Sequence, residues 1–287
     1  MKVNSLKLND GGYPPPLTVI PAAPKVLFWI GADPSEWLDK PKVAIVGSRK
    51  VSAYGKDVTA RITDEVARAG IVVISGLAYG VDSIAHQAAL DAGSITVAVL
   101  PTALDNIYPA GHTDLAKRII AGGGTLISEY PLGSTPHKSN FTARNRIVSG
   151  LADLVLITEA ATRSGTLNTA RFALEQGKTV AAVPGNITSP NSQGTNNLIK
   201  SGALPVTEAG DVLFALNISA GKAREQRAFR GSAEEEALLA LIRSGISDQE
   251  ELALLAGLDG AAVAGVLISL ELAGCIKPAG GGQWLLG

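Results

Sequence analysis

Between Tyr130 and Ala152 the chain carries Lys138, Arg144 and Arg146 and not one aspartate or glutamate. The centre of that stretch reads Pro136-His137-Lys138-Ser139-Asn140-Phe141-Thr142-Ala143-Arg144-Asn145-Arg146. If the chain is helical from Phe141 onward, Phe141, Arg144 and Asn145 share one face, with Arg146 beside it. A cationic face with an aromatic ring, approached by a lysine-bearing loop, can neutralise phosphates while a base stacks on the ring. The competing reading is a solvated basic face with Phe141 anchored in the core. The missing counter-acid favours binding.

Four other segments have polar and small residues where an anion could be held. Gly47-Ser48-Arg49 combines close backbone approach, a hydroxyl donor and a bidentate guanidinium. Taken alone it could equally be a helix cap beside a solvated arginine. Ser75-Gly76-Leu77-Ala78-Tyr79-Gly80 precedes a helix whose N-terminal amides favour negative charge. Ser164-Gly165-Thr166 precedes another, and its hydroxyls can cap the helix or meet an oxyanion. Val183-Pro184-Gly185-Asn186, followed by Gln193-Gly194-Thr195-Asn196-Asn197, forms the last. Asp82 and His86 lie one turn apart and could suggest a catalytic pair. With no nucleophile beside them, the preferred reading is structural: a first-turn acid and a core-side histidine.

These segments need a scaffold that brings them to one edge. The runs Val43–Val46, Ile71–Ile74, Ile95–Leu100, Thr125–Ser128, Leu154–Thr158 and Thr179–Val183 are apolar on both faces, as parallel strands covered by helices should be. Helices are expected over Asp57–Ala69, Val81–Ala92 and Thr166–Gln176, each closed by glycine: Gly70, Gly93 and Gly177. The expected fold is α/β: an extended Rossmann-like, doubly wound, mostly parallel sheet with a small C-terminal winged-helix-like domain. Each motif then falls at a strand's carboxyl end. Val26–Ile30 reads as an extra strand ahead of the main sheet, Tyr13–Pro16 as extended chain, and Tyr130–Asn140 as a loop.

The chain has 287 residues, 46% hydrophobic and 18% charged, enough to bury a core and too few charges for disorder. No apolar run approaches the ~20 residues of a membrane span, and no signal-peptide pattern opens the chain, so a cytoplasmic protein is expected. Cys275 is the single cysteine and there are three histidines, which leaves no disulfide and no evident metal site. Neither a P-loop nor a Gly-x-Gly-x-x-Gly turn is present, so no nucleotide cofactor is expected. The balance of 25 basic against 26 acidic residues argues against a nucleic-acid ligand only as an average. Residues 234–287 hold Arg243 and Lys277 against eight acids, whereas residues 217–233 hold four basic residues against Glu225. Two domains joined by a linker follow: 1–216 Rossmann-like, 217–233 a basic linker, and 234–287 acidic. The last reads as helices Ala233–Arg243, Asp248–Ala256 and Gly260–Ala273, then a hairpin from Cys275–Lys277 to Trp284–Leu286. Its charge repels duplex phosphates, which points to a protein contact or to a lost DNA-binding function instead.

In order along the chain, VAIVGSR (43–49), SGLAYGVDSIAH (75–86), FTARNR (141–146), SGTLNT (164–169) and VPGN (183–186) resemble the DNA-processing protein A (DprA/Smf) family, over about Tyr13 to Leu213. The resemblance implies a non-catalytic protein of transformation and recombination. Such a protein binds and protects single-stranded DNA, helps load the RecA recombinase and forms homodimers through the Rossmann-like domain. Carried over, it makes Arg49, Lys138, Arg144 and Arg146 phosphate ligands, with Gly47, Ser48, Ser75 and Gly76 as pocket wall. The segment after Gly194 is a candidate for the dimer seam. The alternative is a phosphoribohydrolase-like enzyme acting on nucleotides. That group's Gly-Thr-x-x-Glu turn is not kept: Gly165-Thr166 is followed by Thr169 where the glutamate should stand, which leaves Glu159 or Glu175 as remote substitutes.

Overall fold

A computed structural model describes residues 2–218, 232–273 and 275–286. The chain divides into two compact units, Met1–Gln226 and Arg227–Gly287. Most of the expected linker 217–233 lies outside the described residues.

In the larger unit the apolar runs become β3 (Lys42–Val46), β4 (Val72–Ser75), β5 (Thr96–Val99), β6 (Thr125–Ser128), β7 (Leu154–Ile157) and β8 (Thr179–Ala182), joined by β9 (Leu204–Pro205). Neighbouring strands among these seven pair in parallel. Two antiparallel strands extend the far edge: β2 (Val26–Gly31) pairs with β6, and β1 (Asn4–Lys7) pairs with β2. The order β1-β2-β6-β5-β4-β3-β7-β8-β9 runs outward in both directions from β3. The carboxyl ends of β3 and β7 therefore flank the switch point where open α/β sheets hold ligands.

Side chains alternate between two apolar layers, as a pleated strand requires. Ala44, Val46, Ile74, Val99 and Ile157 pack with Ile147, Val148 and Leu151 of α5 (Lys138–Leu151) and with Ala170 and Ala173 of α6 (Leu167–Glu175). Val43, Ile45, Val73 and Leu156 face the other way. They meet Val58, Ile62 and Val66 of α2 (Ala53–Arg68) and Ala85 and Ala89 of α3 (Val81–Asp91). Ser52 caps α2, accepting the Gly55 amide at 3.0 Å.

The structure departs from the expectation at several points, one being that α5 opens at Lys138, inside the stretch Tyr130–Asn140 expected as loop. Pro15–Thr18 forms a helical turn, α1, because proline at the first helical position supplies a helical φ and no orphan N–H. β1, whose residues Asn4-Ser5-Leu6-Lys7 include one apolar side chain, completes the sheet edge. α4 (Thr113–Ala121) closes the crossover between β5 and β6. α7 (Gln193–Lys200) and α8 (Ala209–Ala215) complete this unit.

The smaller unit consists of α9 (Ala233–Arg243), α10 (Gln249–Ala256), α11 (Gly260–Leu272) and the antiparallel pair β10 (Ile276–Gly280) and β11 (Gln283–Leu286). Leu238, Leu239, Leu252, Val263, Leu267 and Leu270 form its core. Part of its acid excess caps helices: Glu235 closes a capping box with Ser232, and Asp248 and Asp259 accept first-turn amides of α10 and α11. Among the described residues no single helix is long and apolar enough to cross a membrane.

Candidate nucleic-acid interface

At the switch point lies a cavity of about 510 Å³. The β3 turn contributes Gly47, Ser48, Arg49 and Lys50, and the β4 turn contributes Gly76 and Ala78. Phe141, Thr142, Arg144 and Asn145 come from α5, and Arg163, Ser164, Gly165 and Thr166 from the β7 turn. Four segments distant in sequence thus meet at one sheet edge, because each follows or faces a strand's carboxyl end.

The cations are of two kinds. Arg49, Lys50 and Arg163 are exposed, and their side chains make no hydrogen bond or ion pair among the described residues. The Arg49 guanidinium lies 5.7 Å from the Phe141 ring centroid, and Phe141 stands edge-on to Tyr108 at 5.0 Å. Arg49 is therefore held over an aromatic face with its donors open to a ligand.

Arg144 is buried. One of its terminal nitrogens donates to the carbonyl oxygens of Gly76, at 2.5 Å, and Val99. Burial pulls its pKa down to about 10, so it is still charged at neutral pH, with Asp82 opposing the shift. Asp82, also buried, accepts the Gly76 amide at 3.2 Å and the Ala78 amide at 3.3 Å. Burial raises its pKa; Arg144 and these amides pull against the rise. Together the two charges hold the Gly76–Ala78 turn from both sides. Gly76 is required there by space, since a Cβ would lie 2.5 Å from the guanidinium, and Gly80 by conformation, with φ of +81° and the Ser48 carbonyl against it. Leu77, between them, is also left-handed at φ +59° and fully buried, so burial must offset about 1–2 kcal/mol of backbone strain.

Several expected ligands sit elsewhere. Arg146 turns away from the cavity to an ion pair with Glu129 at 2.6 Å, both side chains largely buried, and to the Ala22 carbonyl at 3.0 Å. Its counter-acid lies one residue before the acid-free stretch began. Lys138 opens α5, exposed and off the cavity lining. The Ser75 hydroxyl is buried and donates to the Ile45 carbonyl at 2.6 Å. Thr166 lines the cavity, yet its hydroxyl ties α6 to β3 by donating to the Gly47 carbonyl at 2.7 Å rather than capping α6. Ser48 accepts the Lys50 amide at 3.1 Å, which leaves its own proton to donate. Asn145 accepts from Arg144 at 3.3 Å. Lys50 and Arg163 also line the cavity, and Tyr108 packs on Phe141; none of the three was singled out from the sequence. Arg163 adjoins a quoted motif and could have been found, whereas Tyr108 arrives from a loop with no local signal.

His86 is fully buried, with Nδ1 2.7 Å from the Thr96 hydroxyl. Burial first, then Arg144 and His112, lowers its pKa to about 3. A depressed value means the neutral ring stabilises the fold above the unfolded pKa of 6.5 and that this contribution is lost as pH falls. Urea unfolding should therefore show a loss of about 2 kcal/mol from this group between pH 7 and pH 5. A His86→Gln variant should lack that slope; an equal slope in the variant places the titration elsewhere.

Two family models match this chain: DNA recombination-mediator protein A over residues 4–217 and the DprA winged helix domain over 222–282. Protein Smf of Escherichia coli is 40% identical over 278 residues, covering 94% of this chain and 74% of that protein. The DNA processing protein DprA of Streptococcus pneumoniae is 41% identical; its solved structure superposes with a TM-score of 0.69 over 74% of either chain. DNA processing protein A from Helicobacter pylori, described for its single-stranded DNA binding mode, is 34% identical, with a TM-score of 0.67 over 75% of this chain and 96% of its own. The Rossmann-like sheet, the winged helix after it and this depth of sequence identity together make the chain a member of the DNA processing protein A (DprA/Smf) family.

Proposed function

We propose that this chain binds single-stranded DNA through the switch-point cavity, without catalysing a reaction on it. The observation that carries the reading is a cavity lined by three exposed cations without ion-pair partners, Arg49, Lys50 and Arg163, the first of them over the Phe141 ring. Among its described lining residues the single carboxylate, Asp82, is turned to backbone amides. Phosphates would meet the cations and the Ser48 and Ser164 hydroxyls, while Phe141 and the exposed Tyr79 and Tyr108 rings offer stacking surfaces. A single strand can turn its bases onto those rings; a duplex keeps them stacked inside.

The finer assignments rest on family membership. They are protection of incoming DNA and RecA loading in transformation and recombination, a cytoplasmic setting, and a homodimer through residues 1–216 with the segment after Gly194 at its seam. Residues 217–233 would link that domain to the acidic unit, 234–287. The nucleotide-hydrolase alternative finds no free carboxylate where it needs one. Glu159 is buried and accepts the Ser52 amide at the start of α2, and Glu175 is exposed near the end of α6, off the cavity.

Anisotropy titrations with labelled oligothymidine and with a duplex of equal length, across a salt series, test the proposal. The single strand should bind more tightly, with log affinity falling by about 0.7 per neutralised phosphate for each unit of log salt. Equal or tighter duplex binding, or affinity indifferent to salt, would sink it.

A further inference from the structure

The third helix of a winged helix is the one that enters a DNA groove when such a domain reads duplex, and it does so with arginine, lysine, asparagine or glutamine side chains. α11 has none of these. Its thirteen residues are GAAVAGVLISLEL, Glu271 is its single charge, and the Ser269 hydroxyl is spent on Glu235 at 2.5 Å. Val263, Leu267 and Leu270 fill the core. Ala261, Gly265, Ile268 and Leu272 instead lie along the opposite, exposed face, spaced 4, 3 and 4 residues apart, with Ile268 at 54% and Leu272 at 85% exposure. That spacing is the seam by which one helix packs on another. Two small residues at its N-terminal end let a second backbone come close.

We propose that this seam docks a helix of another protein that carries an apolar face bordered by lysine or arginine. Charge selects that occupant. Residues 234–287 hold eight acids against two bases, and Glu250 and Glu251 on α10 and Glu271 on α11 are exposed. A second copy of the unit would bring the same negative excess to the contact, and duplex phosphates or anionic lipid would be repelled for the same reason. A basic amphipathic helix matches both the apolar stripe and the net negative charge of the unit that carries it.

The test uses the full chain and two labelled synthetic helices with identical lysines, one with leucines along its apolar face and one with serines there. The leucine peptide should bind saturably and the serine peptide at least tenfold more weakly. Ile268→Glu with Leu272→Glu should weaken the leucine peptide at least tenfold. These changes add negative charge, so a purely electrostatic attraction would instead tighten. Gly265→Gln provides a second variant that keeps the fold: a Cβ at Gly265 meets nothing within 4 Å, and glutamine is the better helix former. It should block close approach and weaken the leucine peptide as well. Equal binding of the two peptides, or full binding by both variants, would overturn the seam. Duplex binding or self-association of the native chain that disappears in Gly265→Gln would assign the face to DNA or to a second copy, and so refute this occupant.

Discussion

Arg49→Ala should weaken single-stranded DNA binding by about ten- to a hundredfold. A charge-assisted hydrogen bond contributes about 1.5–3 kcal/mol, and each 1.4 kcal/mol is a factor of ten. Arg49 is the candidate for so large an effect because it alone joins the features the cavity offers. It is exposed, lies over the Phe141 ring at 5.7 Å, and sits beside the β3 carboxyl end at the switch point. Its removal also takes one cation from the phosphate path, so the salt dependence should flatten by about 0.7 per lost contact. The fold should hardly notice. No hydrogen bond or ion pair to a described residue is broken, and exposed substitutions of this kind stay within about 0.5 kcal/mol. Affinity and salt slope measured together with urea unfolding separate the two effects. Unchanged affinity would remove Arg49 from the interface.

Arg144→Ala should instead cost stability, by about 3–5 kcal/mol, the penalty for leaving a buried charge and its acceptors without a partner. The carbonyl oxygens of Gly76 and Val99 would lose their donor, and Asp82 would remain buried without the cation that opposes its desolvation. Native stabilities of about 5–15 kcal/mol make this a severe loss. Arg144→Lys provides a gentler companion: it keeps the charge and gives up the planar fork, so an intermediate loss is expected. In both variants DNA binding should weaken because the Gly76–Ala78 turn loses its anchor. Full stability in Arg144→Ala with abolished binding would show the opposite, that Arg144 meets the phosphate directly, as family resemblance alone implies.

The contrast between these two arginines shows where sequence reading stops. Both belong to segments that stood out, GSR at 47–49 and FTARNR at 141–146, and both were assigned to phosphate. Residue type cannot tell an arginine that greets solvent from one that fastens a turn, because the difference lies in what the fold sets against it. Arg144 meets two carbonyls, one of them 68 residues away in sequence and the other 45. Arg146 lies off the cavity for a related reason. Its partner Glu129 lies 17 residues back, and α5 turns residue 146 away from the face that residues 141, 144 and 145 share.

What could be read directly were the features governed by local rules. Continuous apolar strands, each followed by a turn of small residues and a helix, identify a mostly parallel sheet, since helical crossovers cover both of its faces. The winged-helix order and its acid excess were equally plain. The net balance of 25 against 26 hid a separation along the chain that simple counting restored. Tertiary structure alone decided which cations remain unpaired, that Lys50 joins the cavity and Tyr108 packs edge-on against Phe141, and that Ser75, Lys138 and Arg146 lie off the lining. Strand and helix periodicity depends on neighbours within a few residues, whereas a site at a switch point is assembled from segments scores of residues apart whose side chains choose partners only after the sheet has closed.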